Sequence, residues 1–236
     1  MFRRWMPDGS FAYSVTSGDP IYSAEGKFIG YRGIGKNITE QVKSQERIER
    51  LATVDELTQL SNRQTFDERA GRILASAYAG EKRCALLFID LDNFRLLNNG
   101  YGHRVGDQML AIVASRIRNA ITEPHLVGRR GGDELVALLV DIPRGEYAVD
   151  VAKELIRSIS EPARILGMEV SVTPSVGISF FPQDGIELDS LLNAADAAMY
   201  QAKESGRQTY AFYTPTVARR ADLRLRLEHR LRKAVE

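Results

Sequence analysis

The sequence predicts an α+β fold built on a ferredoxin-like antiparallel sheet, and three observations carry that prediction. An apolar run of strand length, Cys84-Ala85-Leu86-Leu87-Phe88-Ile89, ends in Asp90-Leu91-Asp92. Gly131-Gly132 lies between the apolar stretches His125-Leu126-Val127-Gly128 and Leu135-Val136-Ala137-Leu138-Leu139-Val140. Such a pair reads as a tight β-hairpin, because glycine reaches positive φ without a Cβ penalty. Around these, the order strand, helix, hairpin, helix, strand is the split βαβ pattern with additions. In that topology the end of the first strand and the hairpin turn share one edge of the sheet. Asp90 and Asp133, 43 positions apart, then become neighbours.

The remaining elements follow from punctuation and periodicity. Residues 1–38 hold about three short extended runs, broken by the turn signals Asp8-Gly9 and Glu25-Gly26 and too few to bury a core alone. Residues 39–54 read as a charged linker helix that Thr39 can cap, with a thin apolar stripe of Ile38, Val42, Ile48, Leu51 and Ala52. That stripe fits either a surface helix or a short coiled coil. Ser61 or Asn62 caps the next helix, 63 to about 78. A helix starts near Asn93 with Asp92 as its N-cap, and a strongly amphipathic one covers 109–121. Another spans about 146–160; extended chain covers 170–181, where Pro174 implies an edge or a bulge. Residues 188–204 are helical on Leu191, Leu192, Ala195 and Met199, with Gly206 as the C-cap, and 209–213 close with a strand.

The bulk numbers exclude several classes. With 236 residues, 44% of them hydrophobic, the chain can bury a substantial core in one or two domains. A net charge of +1 gives no global drive toward nucleic acid or an anionic membrane, so any phosphate site is local. The single cysteine, Cys84, reads as a core thiol and cannot form an internal disulfide. No apolar run approaches the roughly 20 residues of a membrane span. The expected location is cytoplasmic, although a longer parent could be membrane-anchored.

Chemistry-bearing residues gather around the predicted sheet edge. Carboxylates from adjacent strand ends, Asp90 and Asp133, suit Mg²⁺, which takes oxygen ligands and keeps phosphate and water in its shell. Backbone amides near Asn93-Phe94-Arg95 can receive phosphate oxygens at a helix start, and Arg95 adds a fork-shaped cation. Lys203 and Arg207 are four apart at a helix end and can share a face. Asn98 and Asp107 offer the donor and acceptor mix that reads a guanine edge. Each also fits a plainer role, as a turn, a helix cap or a solvated helix face.

Five motifs occur in order: Asp55-x-Leu57-Thr58-x-Leu60-x-Asn62-Arg63, Asp90-Leu91-Asp92-x-Phe94, Asn98-x-x-x-Gly102-His103-x-x-Gly106-Asp107, Gly131-Gly132-Asp133-Glu134, and Ala195-Asp196-x-Ala198-Met199-Tyr200-x-Ala202-Lys203-x-x-Gly206-Arg207. Together they resemble a GGDEF domain of the diguanylate cyclase family, over residues 55–214, with a nucleotide-cyclase and polymerase-palm type of sheet. The resemblance implies condensation of two GTP molecules into cyclic di-GMP and pyrophosphate, each GTP held by one domain of a homodimer, with no nucleic acid as partner. It implies Mg²⁺ (or Mn²⁺) held by Asp90, the Leu91 carbonyl and Asp133, with Glu134 in a metal or acid–base role. Arg95 would stabilise charge on the transferring phosphoryl group. Asn98 and Asp107 would bind guanine with His103 nearby, and Lys203 and Arg207 would hold phosphates.

Several positions depart from the family pattern: Leu135 for Phe, Arg95 for Lys, Asn99 for Asp and Arg130 for an aromatic. The family's product-inhibition motif, Arg-x-x-Asp, would fall on Thr122-Glu123-Pro124-His125 and is absent, so no feedback inhibition is expected there. The order Trp5…Asp8-Gly9…Gly26-Lys27-Phe28-Ile29-Gly30-Tyr31…Gly35-Lys36-Asn37-Ile38-Thr39-Glu40 resembles the last strands of a PAS sensor domain, with Asn37 where that family closes on Asp. The basic amphipathic stretch 215–236 resembles the lead-in helix of an EAL phosphodiesterase domain. The chain is thus expected to be part of a longer protein. The alternative to an active cyclase is a GTP-binding module that regulates such a phosphodiesterase without turnover.

Overall fold

The computed structural model describes residues 2–5, 11–42 and 53–214, in two units that divide between Ala52 and Thr53. The first unit is an antiparallel sheet in the order β1 (Phe2–Trp5), β2 (Phe11–Tyr22), β3 (Phe28–Asn37). Ser23 organises the β2–β3 turn: its backbone N–H donates to the Lys27 carbonyl (2.8 Å) and its hydroxyl accepts from the Glu25 and Lys27 amides. Among the described residues of this unit Ala12 is the one buried hydrophobic side chain. Several of its large apolar side chains are exposed, among them the edge-to-face cluster Tyr22–Phe28–Tyr31.

Thr39 does not cap the helical turn that begins there. Its hydroxyl accepts the Tyr13 amide (2.8 Å), while the Asn37 carboxamide oxygen accepts both the Thr39 amide (2.9 Å) and hydroxyl (2.6 Å). Tertiary pairing to β2 has taken the hydroxyl that a cap would use. The rest of the predicted linker helix (43–52) and the predicted C-terminal helix (215–236) lie outside the described residues.

The second unit is the predicted ferredoxin-like sheet. Its strands are β4 (Cys84–Leu91), β5 (Leu126–Gly131), β6 (Glu134–Leu139), β9 (Pro174–Phe181) and β10 (Tyr210–Phe212), in the order β10-β9-β4-β6-β5. A small hairpin of β7 (Ala163–Ile165) and β8 (Met168–Val170) stands apart. The helices are α1 (Arg63–Ala79), α2 (Phe94–Tyr101), α3 (His103–Ala120), α4 (Gly145–Ser160) and α5 (Leu188–Glu204).

Every residue of β4 is buried, because both faces of the sheet are covered. The strand's period of two divides it between two cores. Ala85, Leu87 and Ile89 join α3 and α4 side chains such as Met109, Val113 and Leu155. Cys84, Leu86 and Phe88 join Phe66 and Leu74 of α1 and Leu191 and Met199 of α5. Helix α5 lies directly on the β9 backbone at Gly177, where a Cβ would fall 1.9 Å from the Ala195 carbonyl oxygen. Only glycine permits that approach.

Local expectations divide between kept and overturned. Asn62 caps α1 through the Thr65 amide (2.9 Å). Pro174, expected at an edge or bulge, is the first residue of an interior strand, a position that needs no ladder N–H from it. Helix α3 begins at His103, six residues before the apolar periodicity becomes plain at Met109. Asp92 is not an N-cap: α2 is entered through Asn93 in the left-handed region (φ 56°), with no side-chain cap. Gly206 sits one position past the C-cap, which is Ser205.

Candidate active site

The hairpin between β5 and β6 sets the centre of the site. A bulge at Arg130 breaks the register between Arg129↔Leu135 and Gly131↔Glu134, and the chain turns through Gly131 (φ 149°) and Gly132 (φ 52°). Asp133 follows at the tip, and Glu134 pairs directly with Asp90 across β6 and β4. The predicted Asp90–Asp133 neighbourhood is therefore centred on Glu134, one residue further along.

Arg129 holds this turn. Its guanidinium donates to the Gly132 carbonyl through Nε (3.1 Å) and Nη2 (2.7 Å), and through Nη1 to both oxygens of Asp55 (3.0 and 3.1 Å). Asp55 also accepts the Thr58 amide (2.8 Å) and hydroxyl (2.6 Å). Burial pushes the Asp55 carboxyl upward, but the bonds from Thr58 and Arg129 together outweigh it and hold the group below its ordinary value. The role of Asp55 and Arg129 escaped the sequence reading. The available signal was the pair Asp55 and Thr58 inside the motif Asp55-x-Leu57-Thr58, to which no role was given.

At the sheet edge carboxylates outnumber cations. Asp90 is 8% exposed and its Oδ1 lies 2.6 Å from Lys203 Nζ. Burial raises its carboxyl to about 6; Lys203 opposes the rise, while Asp133 and Glu134 add to it. Glu134 is also raised, first by partial burial of its carboxyl, then by Asp196 and Asp133. Asp196, from α5, is a further member of the cluster that sequence reasoning passed over. Arg130 bonds Asp67 on α1 at 2.6 Å and acts on Glu134 in the opposite sense, lowering it.

A cleft of about 320 Å³ opens beside the turn, lined by Arg95, Asn98, His103, Asp107, Gly132 and Asp133 among others. The structure thus brings together five of the predicted side chains, from α2, α3 and the hairpin. Asn98 is wedged against α3: a Cβ on Gly106 would fall 1.8 Å from its Oδ1. That oxygen is buried and has no hydrogen-bond partner, among the described residues the one such side-chain atom. Asn98 itself lines the cleft, and the packing of its oxygen on Gly106 fixes the orientation of the side chain there.

The phosphate side is less regular than predicted. Lys203 is spent on Asp90, and Arg207 does not share its helix face. Helix α5 ends at Glu204, the Arg207 amide donates back to Ala202 (3.2 Å), and Arg207 itself is left-handed (φ 64°). This is the 6→1 bond of a Schellman ending, which takes Arg207 out of the i,i+4 relationship. His125, where the absent inhibitory motif would place Asp, is turned inward. Its Nδ1 accepts the Val140 amide (3.1 Å) and its Nε2 lies 3.0 Å from the Tyr147 hydroxyl.

Among the described residues no three His, Cys, Asp or Glu side chains already converge as a metal site. The proposed set of Asp90, Asp133 and the Leu91 carbonyl nevertheless suits a hard divalent cation. It is all oxygen, and the carboxylates Asp90, Asp133, Glu134 and Asp196 outnumber the cations beside them.

Residues 52–209 match the family model described as the diguanylate cyclase GGDEF domain. The chain belongs to the GGDEF diguanylate cyclase family. It is 38% identical over 198 residues to the bifunctional diguanylate cyclase/cyclic di-GMP phosphodiesterase MucR of Pseudomonas aeruginosa, covering 84% of this chain and 29% of that protein. It is 33% identical over 242 residues to the cyclic di-GMP phosphodiesterase PdeR of Escherichia coli, covering 98% of this chain and 35% of that one. The chain therefore spans about a third of these relatives' length. Among solved structures, the isolated GGDEF domain of TpbB from Pseudomonas aeruginosa superposes with a TM-score of 0.69 at 36% identity, over 72% of this chain and 99% of that one. No helix among the described residues is long and apolar enough to cross a membrane.

Proposed function

We propose that this chain is an active diguanylate cyclase, joining two GTP molecules into cyclic di-GMP with release of two pyrophosphates. The observation that carries the proposal is Asp133, which lines the cleft with Asn98 and Asp107 and is followed directly by Glu134, the cross-strand partner of Asp90. A carboxylate edge next to a polar cleft supplies the two ends of a nucleoside triphosphate site. Guanine takes the cleft, where the Asp107 carboxylate accepts from the ring N–H and the exocyclic amine, with Asn98 alongside and His103 at the rim. Arg95, exposed on the first turn of α2, reaches toward the phosphoryl group that is transferred. Lys203 and Arg207 hold the outer phosphates.

In the reaction the 3′-oxygen of one GTP attacks the α-phosphorus of the other in line. The new P–O bond forms as the bond to pyrophosphate breaks, and the hydroxyl proton leaves to solvent or to Glu134. Mg²⁺ or Mn²⁺, held by Asp90, Asp133 and the Leu91 carbonyl, would lower the pKa of that hydroxyl and neutralise the leaving group. Two such sites must meet, one GTP in each, so the working form is a homodimer. The same reading takes residues 1–38 as the end of a PAS sensor, 39–54 as a linker, 55–214 as the cyclase domain and 215–236 as a helix toward an EAL domain.

Incubation with GTP and Mg²⁺, followed by nucleotide chromatography, tests the proposal. Cyclic di-GMP is expected, at a specific activity that rises with protein concentration, and Asp133→Ala abolishes it. Tight GTP binding without product at any concentration overturns the cyclase reading. It would support a regulatory GTP-binding module, which the kinship to a longer phosphodiesterase favours.

A further inference from the structure

We infer that Asp92 is a positioning residue for the phosphate side of the site, acting through Arg207; this rests on reading Arg207 as a phosphate ligand. Asp92 lies two residues beyond Asp90 and is 6% exposed. A buried carboxylate must be satisfied, and this one takes three neutral donors. The Ser175 hydroxyl reaches Oδ1 (2.7 Å), while the Thr173 hydroxyl (2.7 Å) and the Gln208 backbone N–H (3.1 Å) reach Oδ2. Two of these lie where the chain enters β9, and the third lies on the loop that leaves α5.

That loop is in an unfavourable backbone region. Gly206 (φ 113°) is followed by Arg207 (φ 64°) and Gln208 (φ 48°), two consecutive side-chain-bearing residues in the left-handed region. They persist only where surrounding bonds hold them. The Arg207 amide is held by the Ala202 carbonyl, and the Gln208 amide by Asp92. At the next residue the Thr209 carbonyl accepts the Val176 amide (2.9 Å) and the chain rejoins the sheet. Asp92 is thus the backbone anchor from outside the loop, while the Gln208 side chain donates more weakly to the Ser160 hydroxyl (3.4 Å). Asp92 ties the backbone from which Arg207 projects to the strand end that carries Asp90.

A carboxylate suits this role because both oxygens only accept. An asparagine keeps one acceptor oxygen, and its N–H₂ can be met only by a hydroxyl, so the Gln208 amide and both hydroxyls can no longer all donate to it. The test measures binding of the α,β-methylene analogue of GTP, which resists turnover, to the full chain in Mg²⁺. Asp92→Asn is expected to weaken binding about tenfold, and Arg207→Ala comparably, while the double variant is no weaker than Arg207→Ala alone. Gln208→Gly in the Asp92→Asn background restores part of the affinity, because glycine takes positive φ without an anchor. If Asp92→Asn weakens binding by the same factor with and without Arg207, or not at all, the inference is overturned.

Should Asp92→Asn fail to fold, residue-resolved hydrogen exchange on the wild-type chain decides the matter. The Gln208 amide is expected to be protected although its loop is exposed, and exchange at the intrinsic rate of an unprotected amide would overturn the anchor. A wild-type chain that binds no analogue removes the nucleotide reading itself, whereas a chain that binds but shows additive variants removes only the role of Asp92.

Discussion

The two ends of the site are built on different physical principles. The cleft end is shaped by packing: Asn98 is pressed onto the bare Gly106 of α3, and its orphaned oxygen has no protein partner. The sheet-edge end is shaped by charge: Asp90 is buried, raised to about 6 and satisfied internally by Lys203. The first end is set by steric fit, and at the second an ion pair must open before either partner can take another. Steric change should therefore dominate at the first and electrostatic change at the second.

The largest expected effect follows from that contrast. Gly106→Ala puts a methyl where Asn98 Oδ1 now sits, with the Phe94 ring 3.2 Å away on the other side, so Asn98 must leave its place. GTP affinity is expected to fall about tenfold or more, with little change in metal affinity. Equal losses of GTP and Mn²⁺ affinity would break the separation of the two ends.

Lys203→Met probes the other end. Removing the ammonium beside Asp90 is expected to raise the Mn²⁺ affinity of the nucleotide-free chain about fivefold while lowering its GTP affinity. Unchanged Mn²⁺ binding, measured calorimetrically, would show that the ion pair does not compete with metal.

The brace between the two motifs is worth somewhat less. Asp55→Asn removes a charged acceptor from the half-buried Arg129 and is expected to destabilise the domain by about 1–3 kcal/mol. Thermal unfolding reads this directly. A normal midpoint with lost activity would instead mean that Asp55 serves the turn's geometry alone.

The smallest effect is a pH dependence. The Asp90 carboxyl, near 6 in the fold, lies above its unfolded value, so between about pH 4 and 6 the native state binds the extra proton. Its contribution favours the fold at low pH and is lost as pH rises through 6. Relative to Asp90→Asn, the wild type should lose stability over that window, and its Mn²⁺ affinity should fall as pH drops below 6. Parallel stability curves for the two proteins would discard the raised carboxyl.

How much of this was legible depended on the range of the interaction. Strand β4 and the hairpin could be read because apolar runs and a glycine pair are local signals. Asn98, Asp107 and Asp133 could be read because motif spacing records their convergence. Asp92 looked like a cap, since Asp before a helix usually is one. Its actual donors lie 81, 83 and 116 positions away, beyond any local rule. Lys203 and Arg207 looked like one helical face because their spacing is four, although Gly206 between them is itself a local signal that the helix ends before Arg207.

By itself the sequence determined the ferredoxin-like sheet and the identity of the residues at its edge, because periodicity, glycine conformational freedom and motif spacing are properties of the chain. Only the tertiary structure decided which partner each charge takes: Asp55 with Arg129, Asp67 with Arg130, Asp90 with Lys203, and Asp92 with the Gln208 amide. Burial makes an unpaired charge costly but does not name its partner, and the partner is whichever group the fold delivers to within hydrogen-bonding distance.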